Sequence, residues 1–387
     1  MKSKTMVINY DVLQRVKERY QQGVPDTVNA VNLLIREADE QLTKGPFSVM
    51  QKKTTPPSGD HHDFMSLRLY YWPNPDTPDG LPYVNRDGHR NPDYKKFDRV
   101  PLGDLCTAVK VLGLAYFLTG TAAYAAHASR LLKVWFLDEA TRMNPNLIFS
   151  SYAMGRDVHK DGNGIIGTIN FTRLLDAVGF LDGHPDWTPD HKRQLQAWFR
   201  DYRDWMLTSS PGKTEGATKN NHGVWYDVQV LVYSLFIGDD SFVKQYVETT
   251  SRPRIDSQID PSGQMPHETA RPTGLHYTEY LLNAFLDLAT LARHVGIDLF
   301  NYQTSDGRGI RKALDWAIPY FLKPLSWPYQ QIDEFYPAKC VPHLYRFARA
   351  YRDPSLIAIA KQLQGWEKIS AHTIVAHCQG EEACPIK

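Results

Sequence analysis

Along most of this 387-residue chain, apolar residues recur every three or four positions. That spacing places them on one face of an α-helix. Val31, Leu34, Ala38 and Leu42 form one such stripe, and Leu105, Val109, Leu112 and Tyr116 a second. Leu195, Trp198, Tyr202 and Trp205 form a third, and Leu344, Phe347, Ala348 and Tyr351 a fourth. Further helices are expected near 10–21, 121–137, 164–182, 222–237, 240–250, 276–294, 308–321 and 355–367. Short links such as Thr119-Gly120-Thr121, Gly238-Asp239-Asp240 and Asp353-Pro354-Ser355 join them. Strand-like alternation is scarce, so the fold class is all-α. A chain above roughly 250–300 residues usually divides into domains. A ring or array of helix pairs escapes that limit because it grows by adding units. No composition break marks a second domain, and one domain over residues 1–387 is expected.

The long irregular stretch from about Gly45 to Val100 is rich in Pro, Gly, Asp and Asn, yet it carries Tyr70, Tyr71, Trp72, Tyr83 and Tyr94. Disordered linkers are poor in aromatics, and a long ordered loop in a compact domain is more often functional. The formal net charge of +1 argues against a nucleic-acid-binding surface. A polyanionic substrate stays possible, because a local basic cluster can be balanced elsewhere. Cys106, Cys340, Cys378 and Cys384 match no zinc spacing; the last two either pair or stay as thiols. No signal peptide is visible, since no apolar stretch comes after Met1–Met6. No apolar run approaches the ~18 residues of a membrane span, so no membrane partner is expected.

Four stretches carry candidate chemistry. Asn220, Asn221 and His222 precede a helix striped by Val224, Val228, Leu231 and Leu235, with Glu215 seven residues before His222. One Asn is suited to cap that helix; alternatively the helix end, an amide and an imidazole converge on an anion. In Glu268–Tyr277, Pro272 and Gly274 break the chain, leaving Arg271, His276 and Tyr277 on a loop entering a helix. Arg271 there is either a surface ion-pair residue or a site residue, and Tyr277 either a half-buried core ring or a catalytic one. His61-His62-Asp63, and likewise His372, His377 and Cys378, could bind metal only if folding gave them a shared face. In the aromatic loop, Tyr70, Tyr71 and Trp72 are suited to stack on sugars and Arg86 to fork onto a carboxylate, with core packing as the competing reading.

In order along the chain, His62-Asp63-Phe64-Met65-Ser66, Tyr71-Trp72-Pro73, Gly80-Leu81-Pro82-Tyr83, Arg86-Asp87-Gly88, Asn144-Pro145-Asn146-Leu147, Gly162-Asn163-Gly164-Ile165-Ile166, Asn220-Asn221-His222-Gly223, Leu275-His276-Tyr277 and Trp327-Pro328-Tyr329 resemble the alginate lyase superfamily. In its mannuronate-specific branch the Arg and Tyr stand one residue further apart than Arg271 and Tyr277. The spacing here, with Glu215 before His222, looks more like polysaccharide lyase family 38, whose members act on glucuronan and mannuronate-rich alginate. The resemblance implies an (α/α)n toroid or incomplete barrel of helical hairpins with a long N-terminal loop. It implies Tyr277 as catalytic tyrosine, His222 as active-site histidine, Arg271 beside the tyrosine, and Glu215 and Asn221 near the substrate carboxyl group. It implies an anionic uronic-acid polysaccharide as partner, no metal or other cofactor, and, by analogy, a periplasmic or secreted location.

Such residues suit β-elimination. Loss of the proton on carbon 5 of a uronate builds negative charge onto its carboxylate, so preorganised donors there stabilise the transition state. A tyrosine, with an ordinary pKa near ~10, needs neighbouring positive charge to act as base; Arg271 and an imidazolium at His222 are expected to supply it. Alternatively His222 is the base and Tyr277 only the acid. In mannuronate and glucuronate the proton and the leaving oxygen lie on one side, so one tyrosine can serve both. Two rivals remain. A toroid glycoside hydrolase would need two carboxylates roughly 5–10 Å apart, drawn from Asp63, Asp87, Asp161, Glu215 and Asp333. A polysaccharide-binding protein would keep the aromatic loop but have no need of Tyr277.

Overall fold

The computed structural model describes residues 5–157, 162–365 and 368–378. The molecule is mostly helical, as the periodicity requires. Six helices form an inner ring: Arg99–Thr119, Phe171–Val178, Asn221–Ile237, Gly274–Arg293, Val341–Tyr351 and Ala371–His377. Each packs on the next, and the last packs back on the first, which closes the toroid. Outside them lie Pro25–Gln41, Ala122–Leu132, Pro189–Thr208, Ile310–Leu322 and Ser355–Ala360, each against an inner helix.

The two layers differ in sequence for a physical reason. An outer helix buries one stripe: Pro189–Thr208 buries Leu195, Trp198, Phe199, Tyr202 and Met206 and leaves its other face to solvent. An inner helix is covered on all sides, so Asn221–Ile237 is buried continuously from Gly223 to Ser234. The helix Arg99–Thr119 corrects one expectation, for it is long and apolar enough to cross a membrane. Eleven of its residues, Leu102 to Leu118, are buried within the protein, which makes it a core helix of the ring.

Several expected helices end early in tighter or wider turns. The 164–182 stretch divides into a 3₁₀ turn, Asn163–Thr168, and the helix Phe171–Val178. The 121–137 and 240–250 stretches finish in π-turns, Lys133–Leu137 and Val247–Ser251. Within the described part of the 355–367 stretch, only Ser355–Ala360 is α-helical.

The N-terminal loop is held by its own small core, in which Met65, Leu67, Tyr71, Tyr83, Phe97, Phe149 and Ala153 pack together. Two short ladders frame it: Met65–Leu67 runs parallel to Phe149–Tyr152, and Tyr71–Trp72 antiparallel to Val84–Asn85. A buried Lys52–Asp98 pair at 3.1 Å ties the loop down where the first inner helix begins. The possible Cys378–Cys384 pair falls partly outside the described residues.

Candidate active site

The inner helices set the position of the site. Arg99, Asn221 and Gly274 are the first residues of three of them, and Lys339 lies in the turn that leads into a fourth. All four starts face one cleft of about 610 Å³, roofed by the N-terminal loop. Each contributes the positive end of a helix dipole, which favours an anion there. Arg68, Arg90, Arg99 and Lys339 add side-chain positive charge, against Asp87 and Asp333. Arg99 has neither a hydrogen bond nor a carboxylate partner among the described residues, although burial strips enough water from it to lower its pKa.

Tyr277 sits in the first turn of Gly274–Arg293, half-buried at the cleft. Arg271 Nη2 donates to its hydroxyl at 2.9 Å, and the guanidinium lies 4.0 Å from the ring centre. From the N-terminal loop, the Tyr70 hydroxyl meets it at 3.0 Å. Arg271 is itself fixed by a two-pronged bond to Asp87, Nε to Oδ2 at 2.9 Å and Nη2 to Oδ1 at 2.7 Å. Asp87 reaches it because Gly88 turns the loop with φ +82°, and any Cβ there would lie 2.8 Å from Ile332. The expectation that positive charge would hold Tyr277 as phenolate is corrected. Burial and the neighbouring Tyr70 raise its pKa above the ordinary tyrosine value, and they outweigh Arg271, which lowers it. The resting residue is a phenol.

His222 is the second residue of its helix, and Asn220 Oδ1 caps that helix by accepting the His222 backbone N–H at 3.1 Å. The His222 Nδ1–H donates to Glu215 Oε1 at 2.6 Å. This fixes the tautomer and leaves Nε2 as the remaining ring nitrogen. Glu215 was expected beside the substrate carboxyl group. It is instead 1% exposed and stands behind His222, outside the cleft lining, so it acts on the cleft through the imidazole. Gly162 and Gly164 back this arrangement. A Cβ on Gly162 would fall 2.8 Å from Glu215 Cβ, and one on Gly164 would fall 2.5 Å from Ser150 Cβ.

Asn221 is fully buried beneath the cleft. Its backbone N–H and its Nδ2 both donate to Glu268, at 2.7 Å each. Both of its donors are therefore taken up by Glu268. His276 lines the cleft with both ring nitrogens engaged: Nε2–H donates to the Glu334 carbonyl at 3.1 Å, so Nδ1 accepts from Lys339 at 2.9 Å. Burial and Lys339 push its pKa down, which keeps the ring neutral, and it acts as a holder of Lys339.

The stacking residues divide. Tyr70 reaches the centre of the site. Tyr71 touches the cleft, but its ring is buried and packed by the guanidinium groups of Arg68 and Arg156, at 4.2 and 5.3 Å. Trp72 and Arg86 lie outside the cleft lining; they stack on one another at 5.6 Å, and Trp72 Nε1 donates to the His89 carbonyl. Glu268, Arg99 and Lys339 are candidate site residues that sequence reasoning passed over, and Asp87 it raised only as a hydrolase carboxylate. Only Asp87 had a cue, its place beside Gly88 in the loop motif.

Among the described residues no rival metal cluster assembles, and most of the hydrolase carboxylates are committed to other partners. His61 meets Thr55 and His62 the Arg142 carbonyl, so the neighbouring rings serve different partners. Among the hydrolase candidates, Asp63 accepts from Ser58, Asn144 and Asn146 away from the cleft. Asp333 shares the cleft with Asp87, whose carboxylate is committed to Arg271; Glu215 is held by His222, and Asp161 lies outside the described residues.

A closed helical toroid with a basic, tyrosine-centred cleft defines the chain as a polysaccharide lyase. Residues 48–327 match the family described as Alginate lyase. The chain belongs to the alginate lyase family. An alginate lyase from Bacteroides ovatus superposes with a TM-score of 0.92 at 38% identity, over 96% of this chain and 98% of that one. Alginate lyase A1-III, as a histidine-to-alanine variant complexed with a tetrasaccharide, superposes with a TM-score of 0.57 at 17% identity, over 87% of this chain and 88% of that one. Its tyrosine-to-phenylalanine variant with a tetrasaccharide gives 0.58 at 18% identity, over 89% and 87%. At such low identity these two support the fold. No curated protein matches the chain.

Proposed function

We propose that the protein cleaves 1,4-linked polyuronates, mannuronate-rich alginate or glucuronan, by syn β-elimination, in the manner of the family 38 branch and outside the cytoplasm. The observation that carries this reading is the Tyr277 hydroxyl, held by Arg271 in a cleft built from four helix starts. The uronate carboxylate enters that positive field. Because Tyr277 rests as a phenol, its proton passes first to Nε2 of His222, whose Nδ1–H stays on Glu215. The imidazolium so formed faces the carboxylate, and Arg271 steadies the phenolate. The phenolate takes the proton from carbon 5 and returns it to the oxygen leaving carbon 4. His222 then gives Tyr277 its proton back. Atoms and charges balance over the cycle, and this route needs no metal.

The test is ultraviolet absorbance of the unsaturated product, with polymannuronate, polyguluronate, glucuronan and polygalacturonate supplied separately. A rise with polymannuronate or glucuronan, lost in Tyr277→Phe, is the expected result. A rise confined to polyguluronate would sink the single-tyrosine mechanism. New reducing ends without absorbance would sink the lyase reading.

A further inference from the structure

Asn221 presents the wrong group to an anion. Both of its donors go to Glu268, while its Oδ1 is buried without a hydrogen-bond partner among the described residues. An amide oxygen only accepts, as a carboxylate does, so the two cannot bond. Glu268 is fully buried in the short helix Pro266–Thr269. Burial pushes its carboxyl up to about 6, against the two bonds from Asn221 and the nearby charges of Arg271 and His222. Around this pair, Arg271 is met by Asp87 of the N-terminal loop and by Tyr277 of the Gly274–Arg293 helix. His222 is backed by Glu215, and Arg254 with Asp227 stands behind Gly223.

We propose that Glu268 is a positioning residue that takes up one proton as a uronate carboxylate enters, and that this proton converts Asn221 from an acceptor into a donor toward the substrate. The inference rests on the lyase reading above. With Glu268 neutral and the Asn221 amide turned about its last torsion, Oε2–H donates to Oδ1, and Oε1 still accepts the Asn221 backbone N–H. Nδ2 then takes the position left by the unpartnered oxygen and donates to the carboxylate. The Nδ2–Oε2 bond is exchanged for the Oε2–Oδ1 bond, so the pair keeps two hydrogen bonds, and the orphaned acceptor disappears. A buried negative charge is also removed from beside the place where the enediolate develops. The approaching carboxylate favours this protonation, because like charges raise each other's pKa.

The experiment uses Tyr277→Phe, which should bind substrate without turnover, titrated with a mannuronate tetramer by calorimetry across the acid and neutral range. Above the Glu268 titration the affinity should fall by about tenfold per pH unit, as linkage to one proton requires. Two buffers of different ionisation enthalpy should report the uptake of that proton. Adding Glu268→Gln supplies an N–H where the neutral acid has its O–H. This double variant should keep the low-pH affinity and lose that part of the slope, while any contribution from His222 stays common to both proteins. An unchanged slope, or tenfold weaker binding at low pH, would overturn the proposal. Difference infrared spectra of Tyr277→Phe alone, whose Glu268 is intact, should gain a protonated-carboxyl band on binding, and its absence would overturn the proposal too. Absence of tetramer binding at every pH, with no unsaturated product from the unmodified protein, would overturn the lyase reading and this inference with it. Binding without proton uptake would overturn this inference alone.

Discussion

Asp87 shows how one residue sets the chemistry of another. It makes no bond to Tyr277, yet it fixes the guanidinium that does, using both carboxylate oxygens. Asp87→Asn keeps the shape and removes the charge, so Arg271 loses its two-pronged hold and the phenolate its steady partner. The expected outcome is a fall in kcat of up to about 100-fold, the scale of a misplaced catalytic group, with KM little changed. Steady-state kinetics on polymannuronate checks this; a raised KM with normal kcat would mean that Asp87 faces the sugar instead. Neither Asp87 nor Glu268 could be assigned these tasks from sequence. Asp87 and Arg271 stand 184 residues apart, and Glu268 and Asn221 stand 47 apart. A carboxylate on a polar stretch is compatible with too many partners until folding brings one to it. Asn221 and His222 were easier, because a helix start limits which way their groups point.

At the scale of elements, the His222 helix depends on its cap. Asn220 Oδ1 takes the His222 backbone N–H, one of the donors that a helix start leaves unpaired. Asn220→Ala should cost about 1 kcal/mol of stability, and Asn220→Asp, which restores the acceptor, should recover most of it. Paired thermal melts of the two variants decide this; equal melting points would show that the cap contributes nothing. Long helices were legible because an apolar stripe repeated over about two to three turns at the 3.6-residue period fits little besides a helix. Ser210–Gly216, Arg252–Gln258 and Pro266–Thr269 escaped, being at most two turns long and rich in polar residues. Their form comes from packing against longer helices, and the Glu268 site rests on one of them.

Over the whole molecule, a net charge of +1 conceals a cleft where Arg68, Arg90, Arg99 and Lys339 gather. Polymer capture should therefore weaken with salt. KM for polymannuronate should rise roughly tenfold between ~0.1 M and ~1 M salt, as the screening length falls from about 10 to 3 Å. The kcat value should hold, since in the proposed mechanism Arg271 and His222 work through the direct bonds they make to Tyr277 and Glu215. An unresponsive KM would mean that these cations do not face the polymer. The sequence by itself determined the helical class, the long ordered loop and the two stretches that supply His222, and Arg271 with Tyr277, because periodicity, breakers and capping are local properties of neighbouring residues. Only the tertiary structure decided that the ring closes with Ala371–His377 against Arg99–Thr119. It alone decided that Trp72 and Arg86 pair with each other outside the cleft, that Glu215 stands behind His222, and that Tyr277 keeps its proton at rest. Burial, partnership and charge balance depend on which distant segments meet, and that choice is made by the packed ring.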